Sequence, residues 1–211
     1  MSRLQRPSGW SAHRATAPGA FEARLRDGRR VRIRPIGPDD RHRLIAGLRR
    51  MSPRSRYLRF HRFVTDLTEP ELSHLTEADQ RDHVAWGAVA LDEPGEPGVA
   101  AARYIRSPDD PAQAEFSIAV VDDYQGVGLG RLLLETLIAD AVVKGVERLV
   151  APVLHENHVA LGLFVQLGGR LRRLPNGETL VEIAVTTERR QWKTSQPILP
   201  AFVPGRAARG A

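Results

Sequence analysis

Apolar residues recur with two different periods along the chain, and together they predict a protein of mixed strands and helices. On both sides of Asp27-Gly28 they occupy every second position, which is typical of a β-hairpin. Short apolar or alternating runs predict five further strands, over residues 84–91, 98–105, 114–121, 148–154 and 179–185. The first three of these are separated by turns rich in Pro, Gly and Asp, so we expect them to form an antiparallel meander.

Apolar residues at helical spacing, together with capping residues, predict five helices. In chain order these helices begin after Asp39 or Asp40, at Ser52-Pro53, at Thr68, near Gly128 and at Val159. Thr68 and Glu71 have the spacing of a capping box, in which each side chain bonds to the backbone N–H of the other residue. The last two helices are expected over residues 128–144 and 159–167, each followed by a glycine.

The composition is that of one ordinary globular domain with an arm at each end. The chain has 211 residues, of which 42% are hydrophobic and 27% charged, enough for a single core. Residues 1–19 and 187–211 have no hydrophobic periodicity, so we expect flexible arms around a domain of residues 20–186. The absence of Cys excludes disulfides, Cys-ligated zinc or iron–sulfur clusters and a thiol nucleophile.

Positive charge exceeds negative charge, with 31 Lys and Arg against 25 Asp and Glu and a net charge of +6. This balance could favour nucleic acid, an acidic protein or a polyphosphate ligand, or reflect only a solvated surface. The arginines are spread over the chain and no recognition motif appears, so nucleic acid is the least favoured partner. No apolar run has the length of a signal peptide or a membrane span, so we expect a cytoplasmic protein without membrane association.

The most informative segment is residues 123–131, Asp-Tyr-Gln-Gly-Val-Gly-Leu-Gly-Arg, between a predicted strand and the longest predicted helix. Its three glycines at alternate positions expose backbone N–H groups beside a helix N-terminus, an arrangement that attracts phosphate groups. A Rossmann fingerprint would need Gly where Arg131 stands, and a Walker A motif would need Gly-Lys-Ser/Thr. Both patterns fail, so the segment is either a diphosphate site of another kind or an ordinary glycine-rich turn.

The same segment resembles the Gln/Arg-x-x-Gly-x-Gly/Ala motif of the GCN5-related N-acetyltransferase (GNAT) superfamily, through Gln125, Gly128 and Gly130. Ile118-Ala119-Val120 before it and Glu156-Asn157 after it match as well, and the resemblance covers roughly residues 25–185. Three further stretches resemble the acetyltransferase domain of bacterial protein-lysine acetyltransferases of the Pat type. They are Arg26-Asp27-Gly28 leading into Ile33-Arg34-Pro35, residues 52–60, and Ala114-Glu115-Phe116.

The resemblance implies the GNAT fold, an α/β (α+β) architecture whose mixed, mostly antiparallel sheet is splayed at the acyl-CoA site and flanked by helices. It implies acetyl-CoA as the cofactor, coenzyme A as its product, and no metal. The implied pyrophosphate-binding residues, acting through their backbone, are Gln125, Gly126, Val127, Gly128, Leu129, Gly130 and Arg131. The implied partners of the pantetheine arm and the thioester are Ile118, Ala119, Val120 and Asn157.

Acetyl transfer to an amine needs a base, because a lysine amine with a pKa of about 10.4 is mostly protonated at pH 7. Pat-type domains have Glu after Ala on the cofactor strand, so the resemblance makes Glu115 the candidate general base, acting directly or through water. A solvated carboxylate is the alternative. Phe164 stands where many relatives have a Tyr that acts as general acid, and Pro152 stands where some have a carboxylate base. Glu115 is therefore left as the candidate for the general base. His155 and His158 could also transfer protons, but surface positions explain them equally.

These observations predict an N-acetyltransferase that transfers acetyl from acetyl-CoA to an amine, with a protein lysine as the favoured acceptor. A small-molecule amine is the alternative acceptor, and a non-catalytic acyl-CoA sensor is the alternative function. The predicted helix at residues 52–60 is expected to form the acceptor-side wall of the cleft, or else a basic face in water. A monomer and a homodimer both fit the sequence.

Overall fold

The structure is a computed structural model that describes residues 19–186, and the predicted arms lie outside the described residues apart from Gly19. This part of the chain folds around one sheet whose strands are β1 (Phe21–Arg24), β2 (Arg30–Pro35), β3 (His83–Ala90), β4 (Gly98–Arg106), β5 (Gln113–Val120), β6 (Arg148–Leu154), β7 (Arg170–Arg173) and β8 (Glu178–Ala184). The helices are α1 (Arg41–Arg50), α2 (Pro53–Phe60), α3 (Glu69–Thr76), α4 (Leu129–Val143) and α5 (His158–Gln166). Two short 3₁₀ segments lie at Pro38–Asp40 and Asp122–Tyr124.

The strands follow the order β1-β2-β3-β4-β5-β6-β8-β7, and all neighbours are antiparallel except β5 and β6. The predicted hairpin is confirmed, with Phe21 opposite Ile33 and Gly28 at a φ of 92° in its turn. The predicted meander is confirmed as β3-β4-β5. The mixed, mostly antiparallel sheet and its flanking helices therefore agree with the expected architecture.

The core on one face of the sheet is built by α4, which packs against β3, β4 and β5. Leu129, Leu133 and Leu137 of this helix have no exposed surface. Two polar side chains, Tyr104 and Asp140, are also buried here, and the Tyr104 hydroxyl donates to the Asp140 carboxylate at 3.0 Å. Buried polar groups need such partners, so the bond fixes the position of α4 against β4.

The first three helices cover the opposite face of β4 and β5, and their predicted starts are confirmed. Ser52 accepts a hydrogen bond from the Ser55 N–H at the start of α2, and Thr68 and Glu71 form the predicted capping box of α3. Asp40 occupies the N-cap position of α1, but its carboxylate does not bond to the helix N–H groups. Arg34 instead donates hydrogen bonds to both oxygens of the Asp40 carboxylate, at 2.6 and 2.7 Å, because a bidentate charged pair is stronger than a cap bond.

The outermost strand, β7, was not predicted from the sequence. Its four residues, Arg-Leu-Arg-Arg, include one apolar side chain and are all exposed, so no hydrophobic pattern marks them. Pairing with β8 defines the strand, as Leu171 lies opposite Val181. Among residues 19–186 no helix combines the length and apolar character needed to cross a bilayer.

Candidate active site

The parallel strands β5 and β6 pair only over their first residues. The paired positions are Gln113 with Arg148, Ala114 with Leu149 and Glu115 with Val150. Beyond these pairs the strands separate, and a cleft of about 580 Å³ lies between them. Residues of β5, β6, α2, the glycine-rich loop and α5 line it. A space of this size is typical of sites for small molecules.

Within residues 19–186, the edge of β5 that borders the cleft carries main-chain groups with no neighbouring strand. Val121 donates its N–H to the carbonyl of Val99 on the opposite side, at 3.0 Å. Because successive peptide groups of a strand point to opposite edges, those of Ile118 and Val120 point away from β4 and into the cleft. An extended chain with amide groups could add to this edge in the manner of a further strand.

The glycine-rich loop turns directly from this strand into α4. Gly126 and Gly128 have φ angles of 73° and 96°, which side-chain-bearing residues rarely adopt. The first helical hydrogen bond runs from the Leu132 N–H to the Gly128 carbonyl, at 3.1 Å. The N–H groups of residues 129–131 precede it and so have no helical acceptors, and the helix dipole adds partial positive charge there. This end of the cleft therefore suits an anion such as a diphosphate.

Contacts on both sides hold the loop in place. The Gln125 side chain donates from Nε2 to the Val120 carbonyl at 3.1 Å, and the Arg26 N–H donates to the Val127 carbonyl at 3.1 Å. A Cβ on Gly130 would lie 3.4 Å from the Leu163 side chain and 3.7 Å from that of Val120, so a small residue lets α4 approach β5 closely. These bonds leave the backbone conformation of the loop little freedom.

The start of α5 forms the second wall of the cleft. Asn157 caps this helix, with Oδ1 accepting from the Ala160 N–H at 3.2 Å, and its side chain also borders the cleft. Phe164 lies against Phe116 with the rings nearly perpendicular and their centroids 5.2 Å apart. The position where many relatives have a Tyr thus presents an apolar ring to the cleft.

The N-terminal end of α2 is attached to the end of β5 through Asp122. The Asp122 carboxylate accepts hydrogen bonds from the Ser52 N–H at 2.9 Å, the Ser52 hydroxyl at 2.8 Å and the Ser55 hydroxyl at 2.9 Å. Burial raises the pKa of Asp122, but the hydrogen bonds from Ser52 and Ser55 outweigh burial and hold that pKa below its ordinary value of 3.8. The ionised carboxylate therefore anchors α2.

The other end of α2 is attached to the far side of the cleft. The helix ends at His61, whose φ is 55°, and the His61 Nδ1 lies 2.8 Å from the Glu178 carboxylate on β8. Because β8 lies beyond β6 in the sheet, α2 crosses the gap between the separated strands. His61 lines the cleft at this end, which we call the acceptor end.

Glu115 stands at the last position where β5 and β6 pair, and its side chain is exposed. It is not among the residues that line the cleft, so it lies at the rim. By strand alternation it shares a face with Ser117, whose hydroxyl accepts from Arg59 Nη2 at 2.8 Å. Burial lowers the pKa of Arg59, and the Glu115 carboxylate acts in the opposite direction, so the two side chains interact electrostatically.

The structure brings most of the predicted site residues together around one cleft. The exceptions are Glu115 at the rim, Leu129, whose side chain is in the core, and Val127, whose carbonyl is bonded to Arg26. Ala119 borders the cleft with its side chain, but by strand alternation its main chain faces β4 and not the cleft, contrary to the expectation for this residue. Of the two alternative histidines, His155 bonds to Thr179 at 2.7 Å outside the cleft lining, and His158 is exposed at its edge.

Sequence reasoning missed three residues that hold α2 over the cleft: Asp122, Arg59 and His61. Each takes its place through a partner that is distant in the sequence, as with His61 and Glu178, 117 positions apart. Only one local signal was available, since His61 directly follows the predicted α2. Tyr124, which directly precedes Gln125 in the motif, is buried, and its hydroxyl donates to Glu93 at 2.7 Å.

Comparison with known proteins agrees with this geometry. The profile of the acetyltransferase (GNAT) family matches residues 52–168. Acetyltransferase Pat of Mycolicibacterium smegmatis is 34% identical over 76% of this chain and 47% of its own length. Acetyltransferase PA5475 of Pseudomonas aeruginosa is 30% identical over 86% of this chain and 97% of its own length. The chain thus spans about half of the first relative and nearly all of the second.

Solved structures show the same likeness. The GNAT domain of S. lividans PAT superimposes with a TM-score of 0.71 at 29% identity, covering 83% of this chain and 99% of that domain. A cAMP-binding acyltransferase from Mycobacterium smegmatis gives a TM-score of 0.56 at 30% identity, covering 79% of this chain and 47% of the other. The family profile covers more than half of the chain, and fold and relatives agree with it, so this protein belongs to the GNAT family and is an acetyltransferase.

Proposed function

We propose that this protein transfers the acetyl group of acetyl-CoA to an amine, and that the acceptor is the side-chain amine of a protein lysine. The observation that carries the proposal is the position of the glycine-rich helix N-terminus beside the unpaired edge of β5, in one cleft. Acyl-CoA contains a diphosphate followed by an extended chain of amides that ends in a thioester. The helix N-terminus suits the diphosphate, and the unpaired edge of β5 next to it suits the chain of amides.

The donor would be held mainly by main-chain groups. The N–H groups of the loop from Gln125 to Arg131 would bind the pyrophosphate, and the cleft-facing main chain of Ile118 and Val120 would bind the pantetheine arm and the thioester oxygen respectively. Asn157 would contribute its side-chain amide, since its Oδ1 is already used as a helix cap. When bound, acetyl-CoA supplies an acyl group activated by a thiol leaving group.

The acceptor amine must lose a proton before it can attack, which costs about 4.6 kcal/mol at pH 7 for a lysine. Glu115 would accept this proton, through a water because it stands at the rim of the cleft. The cleft-facing N–H of Val120 would stabilise the negative charge that develops on the thioester oxygen. Phe164 has no proton to donate, so the thiolate would leave without a general acid from this position.

Two observations support a cationic acceptor such as lysine. Glu178 places a carboxylate at the acceptor end and Glu115 places another at the rim of the cleft, and both would attract an ammonium group. The resemblance to Pat-type protein-lysine acetyltransferases points the same way. We also propose a cytoplasmic location for the protein.

A non-catalytic acyl-CoA sensor is the second candidate, favoured by the apolar ring of Phe164 and by the exposed position of Glu115. The deciding experiment incubates the protein with acetyl-CoA and a panel of lysine peptides, a polyamine and an aminoglycoside. Release of coenzyme A is measured together with the mass of each acceptor. We expect an acetylated lysine peptide. Calorimetric binding of acetyl-CoA without transfer to any amine would favour the sensor, and no binding at millimolar concentration would overturn both functions.

A further inference from the structure

A second, smaller cavity lies next to the cleft, beneath α1, α2 and α3. Its volume is about 80 Å³, which is room for roughly two or three water-sized groups. Apolar side chains such as Leu48 and Val99 form much of its wall. Met51, Arg59 and Ala119 line both this cavity and the cleft, so the cavity adjoins the part of β5 that the proposed function places beside the thioester. Met51 and Arg59 have unbranched, adaptable side chains, which can move aside for a ligand.

Two of the arginines that reach this cavity have no carboxylate in contact within residues 19–186. Arg103 is 6% exposed and donates to the Leu75 carbonyl at 3.1 Å and to the His74 carbonyl at 3.4 Å, and its Nη1 also lies 3.3 Å from His83 Nε2. Arg59 donates to the Ser117 hydroxyl. A third arginine of the wall, Arg43, differs because it forms an ion pair with Asp40 at 3.2 Å.

The charges of these two guanidinium groups are poorly compensated. Burial, together with the nearby charge of Arg59, lowers the pKa of Arg103 to about 9, and burial also lowers the pKa of Arg59. A lowered pKa means that the charged form is less stable here than in water. An anion that accepted hydrogen bonds from both groups would restore that stability, and a carboxylate has the matching geometry.

We propose that this cavity is a subsite for the far end of a dicarboxylic acyl group, so that the enzyme accepts succinyl-CoA as a donor in addition to acetyl-CoA. A succinyl group exceeds an acetyl group by one methylene and one carboxylate, which is about what the cavity holds. The apolar wall contacts the methylene, and Arg59 and Arg103 bind the carboxylate. This inference rests on the proposed function, because it requires the thioester to lie beside Ala119.

The reaction is the same amide formation with a longer acyl group. The neutral amine nitrogen forms a C–N bond to the thioester carbonyl carbon while the C–S bond breaks. Glu115 has already taken the proton that made the amine neutral, so the second proton, which the nitrogen loses as the amide forms, passes to solvent, and the sulfur leaves as the thiolate of coenzyme A. The distal carboxylate takes no part in bond changes, so the product carries a negative charge where the acceptor carried a positive one.

The test compares acetyl-CoA, succinyl-CoA and butyryl-CoA, the last having a succinyl-like chain without the charge. Both kcat/KM, with a peptide acetylated in the panel described above, and the calorimetric Kd are measured. For the wild type we expect kcat/KM to be about tenfold or more higher, and Kd about tenfold or more lower, for succinyl-CoA than for butyryl-CoA, as for a hydrogen bond between charged groups. Arg103→Met should lower the succinyl-to-acetyl ratio about tenfold. Arg49→Met, an exposed arginine on α1, should leave that ratio unchanged.

A second variant covers the case in which Arg103→Met does not fold. Ala101→Leu fills the cavity from β4 and should lower the ratio of succinyl to acetyl transfer without removing a charge. Acetyl transfer with no succinyl transfer, or butyryl-CoA equal to succinyl-CoA, would overturn this inference and leave the proposed function standing. Binding of succinyl-CoA with no transfer from any thioester would keep the subsite and overturn the proposed function.

Discussion

The two ends of the cleft use different kinds of groups. At the loop end, peptide N–H groups of one continuous segment do the binding, and Gly126 and Gly128 permit its shape. At the acceptor end, side chains from remote segments meet, as His61 of α2 and Glu178 of β8 do. A main-chain site depends on conformation and tolerates most side-chain changes, whereas a site of side chains can be altered by one substitution. Donor binding can thus persist while acceptor preference changes.

Dependence on a single side chain is greatest at Glu115, because this carboxylate alone would accept the proton from the acceptor amine. We expect Glu115→Gln to lower kcat about 100- to 10,000-fold, the usual range for a general base. The calorimetric Kd for acetyl-CoA should not change, because the donor is held by main-chain groups of the loop and β5 and not by this carboxylate. Glu147→Gln, an exposed glutamate remote from the cleft lining, is the matched control and should keep full activity. An undiminished rate in Glu115→Gln would mean that the base is another group.

The loop end is tested by Gly128→Ala. The φ of 96° at this position is strained for alanine by roughly 1 to 2 kcal/mol, so the loop should move. The Kd for coenzyme A should then rise about 100-fold, as for the loss of one or two hydrogen bonds to a charged group. Gly145→Ala is the control, since Gly145 has a φ of 71° at the opposite end of α4. Both variants should lose similar thermal stability. An equal loss of affinity in both would attribute the effect to general destabilisation.

The bond between His61 and Glu178 tests whether the crossing of α2 positions the acceptor. Glu178→Gln should raise the KM for the acceptor about tenfold, because it weakens the hydrogen bond between His61 and residue 178 at the acceptor end. The kcat and the Kd for coenzyme A should change little, because the loop end is not altered. His155→Gln breaks the adjacent bond to Thr179, outside the cleft lining, and serves as control. If both variants raised KM equally, the effect would belong to the fold of β8.

The smallest expected effect is at the attachment of α2 to β5. Asp122→Asn should lower the free energy of unfolding by about 1 to 2 kcal/mol at pH 7. The pKa of Asp122 is below its ordinary value of 3.8 in the folded protein, so its contribution is present above about pH 4 and is lost as the pH falls through the folded pKa. Urea unfolding at pH 7 and pH 3 measures the free energy of unfolding of wild type and variant. The difference between the two proteins should be smaller at pH 3 than at pH 7. Asp66→Asn, an exposed residue, is the control, and a gap independent of pH would contradict the assignment.

The fold was predictable where its signals are local. The strand from Arg148 to Leu154 and the caps at Ser52 and Thr68 follow from neighbouring residues alone, and the structure agrees with them. The carboxylate of Asp40 departed from its expected bond because Arg34 competes for it from another element. Local rules cannot anticipate such competition.

The loop end of the cleft was predictable for the same reason, since its motif is one continuous segment. The acceptor end was not, because the place of His61 depends on β8 lying beyond β6 in the sheet. The rim position of Glu115 likewise depends on where β5 and β6 stop pairing. Sequence spacing carries no information on either.

The cationic edge strand β7 has a consequence for how copies of this protein meet. Exposed strand edges offer unsatisfied backbone groups, to which a strand from another molecule can attach and start aggregation. Here that edge carries Arg170, Arg172 and Arg173, and two identical edges would bring like charges together. Crowded solutions of the protein should therefore resist growth of ribbons through this side of the sheet.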